Sequence, residues 1–470
     1  MSRQLANEQV VVGHIPAQRP GFQPRPTMLA QLTPAGQGPP AVLLTGIRGV
    51  GKTQLAAAYA RARVVSGWRL IAWINAQDRE SLLAGLGAAA EAVLPDGRSG
   101  PPAADAGPAL RGWLEADGSR CLLVFDDAQD LDLLRSFVPA VGAARVLITR
   151  SGPPAAELGT RVQVEAFSAE EALALLAGRT GQGETGASAV AAELEHLPLA
   201  LDQAAVVIAG QRLEYAAYLA KLRALQVEDY LAGTEESAAQ PYPPGVAAAV
   251  LLALEATRAA DPLGVSTGVL EVATLLSPAP VRCDLLRTAG QAGALLGGGR
   301  RVAESMVDQA LERLTNGSLL GFSLDGQTVS THRLVARVVR GVLAKRGRLL
   351  TAYQAAASAL ELSAEALARP RDRTAVREML GQVTALLGNT RAGADDADRT
   401  LAGLLLRIRL LALRYLIELG DDVPHAIAIG EALTADFDRL LGADHPRTLA
   451  ARDSLASAYR ATGRPAEASR

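Results

Sequence analysis

Residues 46–53 read Gly46-Ile47-Arg48-Gly49-Val50-Gly51-Lys52-Thr53 and decide the interpretation of the first third of the chain. They follow a short apolar run at 41–45 and precede a stretch rich in helix formers at 53–65. In a strand, loop and helix arranged in this order, the loop amides and the N-terminus of the helix converge on an anion. Only three of the 47 basic residues are lysines, so a lysine at 52 indicates a need for a slender ammonium group. The stretch predicts a P-loop that binds a nucleoside triphosphate.

Apolar runs that alternate with helical stretches predict a parallel sheet around this loop. The runs, in chain order, are 41–45, 68–75, 121–125 and 145–149. A helix is expected at 79–93 and a loop rich in proline and glycine at 94–108. Such sheets bind ligands at the carboxyl ends of their strands, where the P-loop and the residues at 126, 127 and 150 fall.

The residues at these strand ends have both a functional and an ordinary interpretation. Thr53 and Asp126 suit a Mg²⁺ site, but Asp126 also suits a helix cap. Asp127 suits a catalytic group that polarises water beside Lys52, and it also suits an acid adjacent to Asp126 by chance. Arg150 suits a probe of the terminal phosphate and equally a surface arginine after a strand.

Helical patterns dominate after residue 165. Ser168 and Glu171 form a capping box, and helices are expected at about 188–195, 199–210 and 214–225. Residues 233–245 read as a linker. A helix at 302–315, followed by two short strand-like runs around Asp325-Gly326, predicts a winged helix. By themselves, Pro198 and His332 read as core residues.

The segment from 346 to the end is helical in pattern. At 441–468 the spacing of Tyr459, Gly463 and Ala468 resembles a helix-turn-helix repeat, with a looser copy around Tyr415 and Gly420. The array is expected to be incomplete at the C-terminus.

The predicted fold class is therefore a multidomain α/β and α protein. We expect a P-loop NTPase sheet at 1–165, a helical domain at 166–265, a winged helix at 266–345, and a helical linker with repeats at 346–470.

Composition excludes several classes of function. The net charge of −2 disfavours nonspecific binding of nucleic acid. Cys121 and Cys283 lie far apart and no histidine stands at zinc-ligand spacing from them, so neither a disulfide framework nor a metal cluster is expected. No apolar stretch is long enough for a membrane helix, which predicts a cytoplasmic protein.

Five motifs occur in a fixed order, and together they resemble a known family. The motifs are GIRGVGKT, LLVFDD, VLITR, HLPLALDQA and THRLV. Their order resembles the NB-ARC branch of the STAND signalling ATPases, over about residues 11–340. The C-terminal segment, about 400–470, resembles the tetratricopeptide repeats of kinesin light chain, and bacterial proteins join these two modules.

The resemblance implies roles for four residues. Pro198 would lie against adenine, and His332 would contact the β-phosphate of ADP and hold a closed state. Arg150 would read the γ-phosphate, and Arg25, in GFQPRPTMLAQL, would lie near the nucleotide. The sequence departs from the family at His196, where glycine is usual, and at Arg333, where an aspartate follows the histidine.

These patterns predict a slow ATPase that acts as a switch, with ATP or ADP and Mg²⁺ as ligands. ADP would clamp the closed form, and an unknown protein ligand on the repeats would permit exchange for ATP and self-oligomerisation. One rival is an ATP-dependent transcriptional regulator, disfavoured by the acids within 302–315. Another is a repeat scaffold with a degenerate ATPase, disfavoured by the intact Lys52, Thr53 and Asp126.

Overall fold

An all-parallel six-stranded sheet forms the N-terminal part of the protein. The computed structural model describes residues 9–33, 41–94, 103–151, 158–225, 244–366, 373–391, 399–419 and 423–461. The strands are β1 Val10–Val12, β2 Ala41–Thr45, β3 Leu70–Asn75, β4 Cys121–Asp126, β5 Arg145–Thr149 and β6 Thr160–Gln163. Their spatial order is β1-β3-β4-β5-β2-β6, with every neighbouring pair parallel. The sheet class is confirmed, while β1 and β6 are additional strands that their short sequences did not indicate.

The four inner strands, β2 to β5, are buried on both faces, which explains their continuous apolar runs. Val42 and Leu44 of β2 belong to the core on one face, while Ala41 and Leu43 belong to the core on the other. This alternation follows from the two-residue period of a strand. The first of these cores continues into the winged helix and reaches Leu334.

Helices cover both faces and continue after the sheet. They are α1 Pro26–Gln31, α2 Lys52–Val65, α3 Arg79–Val93, α4 Ala103–Asp117, α5 Leu131–Arg135, α6 Ala169–Thr180, α7 Ala187–Glu193, α8 Pro198–Gln211 and α9 Tyr215–Arg223. The capping box of Ser168 and Glu171 is confirmed at the start of α6.

The loop predicted at 94–108 is wrong for residues 103–108, which begin α4, and 95–102 lie outside the described residues. Ala106, Leu110 and Leu114 repeat every four residues and are buried, so packing outweighs the hydrogen bond lost at Pro108.

A winged helix follows, with a three-stranded antiparallel sheet in the order β7-β9-β8. Its elements and the helix before it are α10 Pro244–Ala259, α11 Val265–Leu275, β7 Val281–Arg282, α12 Cys283–Gln291, a 3-10 turn Gly297–Gly299, α13 Glu304–Asn316, β8 Gly321–Phe322, β9 Thr328–Ser330 and α14 Arg333–Lys345. The predicted hairpin at Asp325-Gly326 joins β8 to β9. Most of the predicted linker at 233–245 lies outside the described residues, and 244–245 begin α10.

The C-terminal region is helical, as predicted. It contains α15 Leu349–Ala366, α16 Arg373–Arg391, α17 Arg399–Leu419, α18 Val423–Leu441 and α19 Pro446–Ala461. Tyr415 and Tyr459 lie on α17 and α19, while Gly420, Gly463 and Ala468 lie outside the described residues. Across the described ranges, no helix combines the length and the apolar character that a bilayer span requires.

α16 packs on α3 of the sheet domain. The carboxylate of Glu91 on α3 accepts hydrogen bonds from both terminal nitrogens of Arg377, at 2.8 and 3.0 Å, and pairs with Arg373 at 2.8 Å. The hydroxyl of Thr384 donates to Glu80 at 2.7 Å. The C-terminal helices are thus in direct contact with the sheet domain.

Candidate functional site

The P-loop turns tightly between β2 and α2. Gly46 has a φ of +149°, and a Cβ there would lie 2.2 Å from the carbonyl oxygen of Val164. Gly51 has a φ of +95° and precedes Lys52, the first residue of α2. The Lys52 Nζ donates to the carbonyl oxygens of Gly46 (2.8 Å) and Ile47 (2.9 Å), and burial lowers its pKa to about 8. The ammonium group is therefore curled under the loop.

Asp126, at the end of β4, is held by two threonine hydroxyls. Thr53 Oγ1 and Thr149 Oγ1 both donate to its Oδ1, at 2.9 and 2.6 Å. Burial raises the pKa of Asp126 to about 6, although the bond from Thr149 opposes that rise. The hydroxyl of Thr53 and this carboxylate are hard oxygen ligands side by side, and they fit a Mg²⁺ ion. In the described ranges no cluster of three His, Cys, Asp or Glu residues could hold a metal, so phosphate oxygens and water would complete such a site.

Asp127 faces the winged helix. Its backbone is in the left-handed region (φ 61°), and its N–H donates to Thr149 Oγ1 at 2.8 Å. Gln129 Nε2 donates to its Oδ1 at 3.0 Å, and Arg333 forms an ion pair with its Oδ2. The predicted catalytic carboxylate is thus bonded at both oxygens.

His332 is the N-cap of α14. Its Nδ1 accepts a hydrogen bond from the N–H of Leu334 at 3.2 Å. Burial lowers the pKa of His332 to about 3, and the positive charges of Arg19 and Arg333 lower it further. The ring is therefore neutral near pH 7. Because Nδ1 is an acceptor, the ring proton is on Nε2, which is a donor.

A cavity of about 490 Å³ lies between the P-loop, the helices that follow the sheet and the winged helix. Ten of the twelve predicted site residues line it: Gly49, Val50, Gly51, Lys52, Thr53, Asp126, Asp127, Pro198, His332 and Arg25. Residues from three separate parts of the chain therefore meet at one site.

The cavity also has an apolar lining that includes Phe167, Leu175 and Leu199 beside Pro198. Pro198 starts α8, where its fixed φ suits the first helical position. Arg25 donates to Glu171 Oε1 at 3.0 Å and to the carbonyl oxygen of Glu165 at 2.9 Å. Arg25 thus ties the N-terminal segment to α6 as well as lining the cavity.

Arg150 and Gly46 are the two predicted site residues outside the lining. The Arg150 guanidinium donates to the carbonyl oxygen of Gln129 at 2.8 Å, so it braces the loop after β4. Gly46 lies beneath the loop, where its carbonyl oxygen accepts from Lys52. Neither position tests the role in nucleotide binding that the sequence suggested.

Arg19 is a residue of the cavity that the sequence did not reveal. It lines the cavity, burial lowers its pKa, and the charge of Asp202 opposes that shift. The segment before it runs along the wing: Ala17 N–H donates to the Phe322 oxygen at 2.9 Å, and Leu324 N–H donates to the Ile15 oxygen at 2.7 Å. An isolated arginine in an irregular segment carries no periodic or motif signal, so only this long-range pairing locates it.

The backbone conformation at His196 bears on a departure from the resembled family, which usually has glycine at this position. His196 and the preceding Glu195 have φ values of 55° and 51°, in the left-handed region that favours glycine. The backbone at this position keeps the conformation that a glycine would adopt most easily. The carbonyl oxygen of His196 accepts from the N–H of Phe167 at 3.0 Å, and this bond holds the turn before Pro198.

The solved structures that match this chain are distant in sequence. One is a Signal Transduction ATPase with Numerous Domains (STAND) protein with a tetratricopeptide repeat sensor from Pyrococcus horikoshii, with 15% identity over 96% of this chain and 66% of that chain and a TM-score of 0.48. Another is the ORC2 protein of Aeropyrum pernix, with 16% identity over 65% of this chain and 89% of that chain and a TM-score of 0.29. A third is Cdc6p of Pyrobaculum aerophilum, with 14% identity over 65% of this chain and 88% of that chain and a TM-score of 0.26. No protein-family model and no curated protein matches the chain. The P-loop NTPase fold follows from the chain's own strand order and loop geometry.

Proposed function

We propose that the chain is a STAND-type switch in which bound ADP or ATP sets the conformation and hydrolysis is slow. The observation that carries this proposal is the cavity shared by Lys52 of the P-loop and His332 of the winged helix. A ligand that contacts both domains stabilises the docked form by the contacts that the opened form lacks. ADP and ATP differ by the γ-phosphate, so a contact made to that phosphate in only one conformation would make the two nucleotides favour different conformations.

Each part of the nucleotide has a candidate partner. Lys52 binds the β- and γ-phosphates, while Thr53 and Asp126 hold Mg²⁺ against them. Pro198 and its apolar neighbours pack against adenine. The Nε2–H of neutral His332 donates to the β-phosphate of ADP.

Asp127 is the proposed catalytic carboxylate. A water oxygen bonds to the γ-phosphorus, and the bond from that phosphorus to the bridging oxygen breaks with its electron pair leaving on ADP. One water proton passes to Asp127 and then to solvent. Arg150 would read the γ-phosphate only after leaving the carbonyl oxygen of Gln129, 2.8 Å away.

The signal is proposed to be a protein ligand on the C-terminal repeats of a cytoplasmic, bacterial NB-ARC-like protein. The support is the contact of α16 with α3 through Glu91. Movement of the C-terminal helices is transmitted to the sheet domain through that contact. Opened molecules would then self-associate through surfaces that the docked form covers.

The DNA-binding alternative is disfavoured by α13, the helix that a winged helix would place on DNA. Glu304 and Asp308 on this helix are 56% and 41% exposed at their side chains, and both pair with Arg287. An acidic face repels the phosphate backbone.

Titration calorimetry with ADP and with a slowly hydrolysed ATP analogue tests the proposal. Lys52→Ala removes a buried ammonium that makes charge-assisted bonds, so we expect an affinity loss of roughly 100-fold. Lys221→Ala, on the exposed face of α9, is the matched control and should bind like wild type. If wild type binds no adenine nucleotide, or Lys52→Ala binds it equally well, the switch proposal is wrong. Salt-sensitive binding of duplex DNA would instead favour the transcriptional alternative.

A further inference from the structure

We propose that Arg333 is a positioning residue that restrains hydrolysis by holding the carboxylate of Asp127. This inference rests on the proposed function and goes beyond it, because it assigns a role to the residue that stands where the resembled family has an acid. The juxtaposition that carries it is the ion pair of Arg333 with Asp127 inside the nucleotide cavity.

The geometry leaves the Asp127 carboxylate occupied at both oxygens. Its Oδ1 accepts from Gln129 Nε2 at 3.0 Å, and its Oδ2 is paired with Arg333. A carboxylate that polarises water needs a lone pair directed at that water. Arg333 therefore competes with the attacking water for the same oxygen.

The Asp127 backbone is itself hydrogen-bonded to the sheet domain. Its N–H donates to Thr149 Oγ1 at 2.8 Å, and that hydroxyl in turn donates to Asp126 at 2.6 Å. These bonds hold the start of the loop after β4 in place. Of the two side chains bonded to the Asp127 carboxylate, Arg333 is the one that belongs to the winged helix and not to the sheet domain.

The position of Arg333 makes the pair depend on docking of the winged helix. Arg333 is the first residue of α14 and follows His332, whose ring lines the same cavity. The partial positive charge of the α14 N-terminus also favours a carboxylate there. Movement of the winged helix away from the sheet separates the pair and returns an oxygen of Asp127 to the attacking water.

The ion pair of Arg333 with Asp127 lies in a partly exposed part of the cavity. The side chains of Arg333 and Asp127 are 20% and 27% exposed, so solvent screens their attraction only in part. Docked protein is thus expected to hydrolyse ATP slowly without losing the capacity to do so.

Steady-state phosphate release from the full chain tests the inference. We expect Arg333→Ala to raise kcat about fivefold with little change in KM, because the variant frees Asp127 without removing a phosphate ligand. Arg333→Lys keeps a cation and should stay near the wild-type rate. Arg287→Ala, which removes the ion pairs with Glu304 and Asp308 within the winged helix and away from the cavity, is the matched control and should also keep the wild-type rate.

The double variant Arg333→Ala/Asp127→Asn should be as slow as Asp127→Asn, because Arg333 acts through that carboxylate. An unchanged or lower kcat in folded Arg333→Ala would overturn the inference while leaving nucleotide binding intact. Full turnover in Asp127→Asn would overturn the catalytic role of Asp127 in the proposed function. If Arg333→Ala does not fold, salt provides the second measurement: wild-type turnover should rise as salt screens the pair, and a flat or falling profile contradicts the inference.

Discussion

The two walls of the nucleotide cavity are built in different ways. The sheet wall comes from the P-loop and the ends of β4 and β5, and backbone geometry and short local hydrogen bonds hold it. The winged-helix wall comes from His332 and Arg333 of the winged helix, together with Arg19 of the N-terminal segment that pairs with the wing. A rigid wall suits a constant phosphate site, whereas a wall held by side-chain contacts can move away. Under the proposed function, this difference would let one cavity both bind nucleotide and respond to it.

Within the sheet wall, we expect substitution of Gly46 to cause the largest loss of stability. Gly46→Ala puts a Cβ 2.2 Å from the carbonyl oxygen of Val164 at a φ of +149°, so the backbone must shift. We expect a loss of about 3 kcal/mol in the free energy of unfolding, measured by urea denaturation. Gly112→Ala is the control, since a Cβ on this exposed face of α4 meets nothing within 4 Å. Equal stability of Gly46→Ala and wild type would show that the loop is not held as described.

The winged-helix wall should be sensitive to acid through His332. Its folded pKa is about 3 and its ordinary value 6.5, so the unfolded state gains a proton first as the pH falls. Stability is therefore complete above about pH 6.5 and is lost as the pH falls toward 3. We expect wild type to lose about 2 kcal/mol between about pH 6.5 and 4.5 through this residue, and His332→Gln to lack that loss.

His445→Gln is the matched control for this prediction, because His445 Nδ1 accepts from the N–H of Arg447 at 3.2 Å in the same kind of local bond. Urea midpoints measured across this pH range compare the variants. An acid profile that is identical in His332→Gln and wild type would contradict the assignment.

In the sheet wall, Asp126 gives a pH dependence of stability with the opposite sign to that from His332. Its folded pKa of about 6 exceeds its ordinary value of 3.8, so stability from this group is complete below about pH 3.8 and is lost as the pH rises through 6. Without Mg²⁺ or nucleotide, Asp126→Asn should therefore be more stable than wild type at pH 7, by about 1 kcal/mol.

Asp78→Asn, at the N-cap of α3, replaces one good cap by another and should leave stability unchanged. Thermal unfolding at pH 7 without ligand separates the two variants. Lower stability of Asp126→Asn than of wild type would mean that the hydrogen bonds from Thr53 and Thr149 outweigh the cost of burial.

Local patterns predicted the sheet wall because the residues that form the P-loop and its flanking strand and helix are contiguous in the sequence. The run 41–45, the glycines of 46–51 and the helix formers after 53 each favour the same strand, loop and helix. The capping box at Ser168 and the turn at Asp325-Gly326 were found for the same reason. The helix that contains Pro108 was missed because burial of its apolar face outweighs the local signal.

The sequence predicted only some of the residues that form the winged-helix wall. His332 was recognised by resemblance and Arg333 was noted as a departure beside it, but nothing in the sequence indicated that Arg19 lines the cavity or that Arg333 pairs with Asp127. Charged side chains on separate domains have no spacing rule, since their meeting depends on how the domains dock.

The sequence by itself determined that this protein has a P-loop on a parallel sheet. The buried strand, the glycines that allow the tight turn and the lysine that the loop requires all lie within a few residues of one another. Only the tertiary structure decided which residues close the cavity opposite Lys52. That closure depends on pairing of the segment before Arg19 with the wing and on docking of α14 against the end of β4. Contacts between residues so distant in the chain are set by packing and long-range electrostatics, which local sequence does not encode.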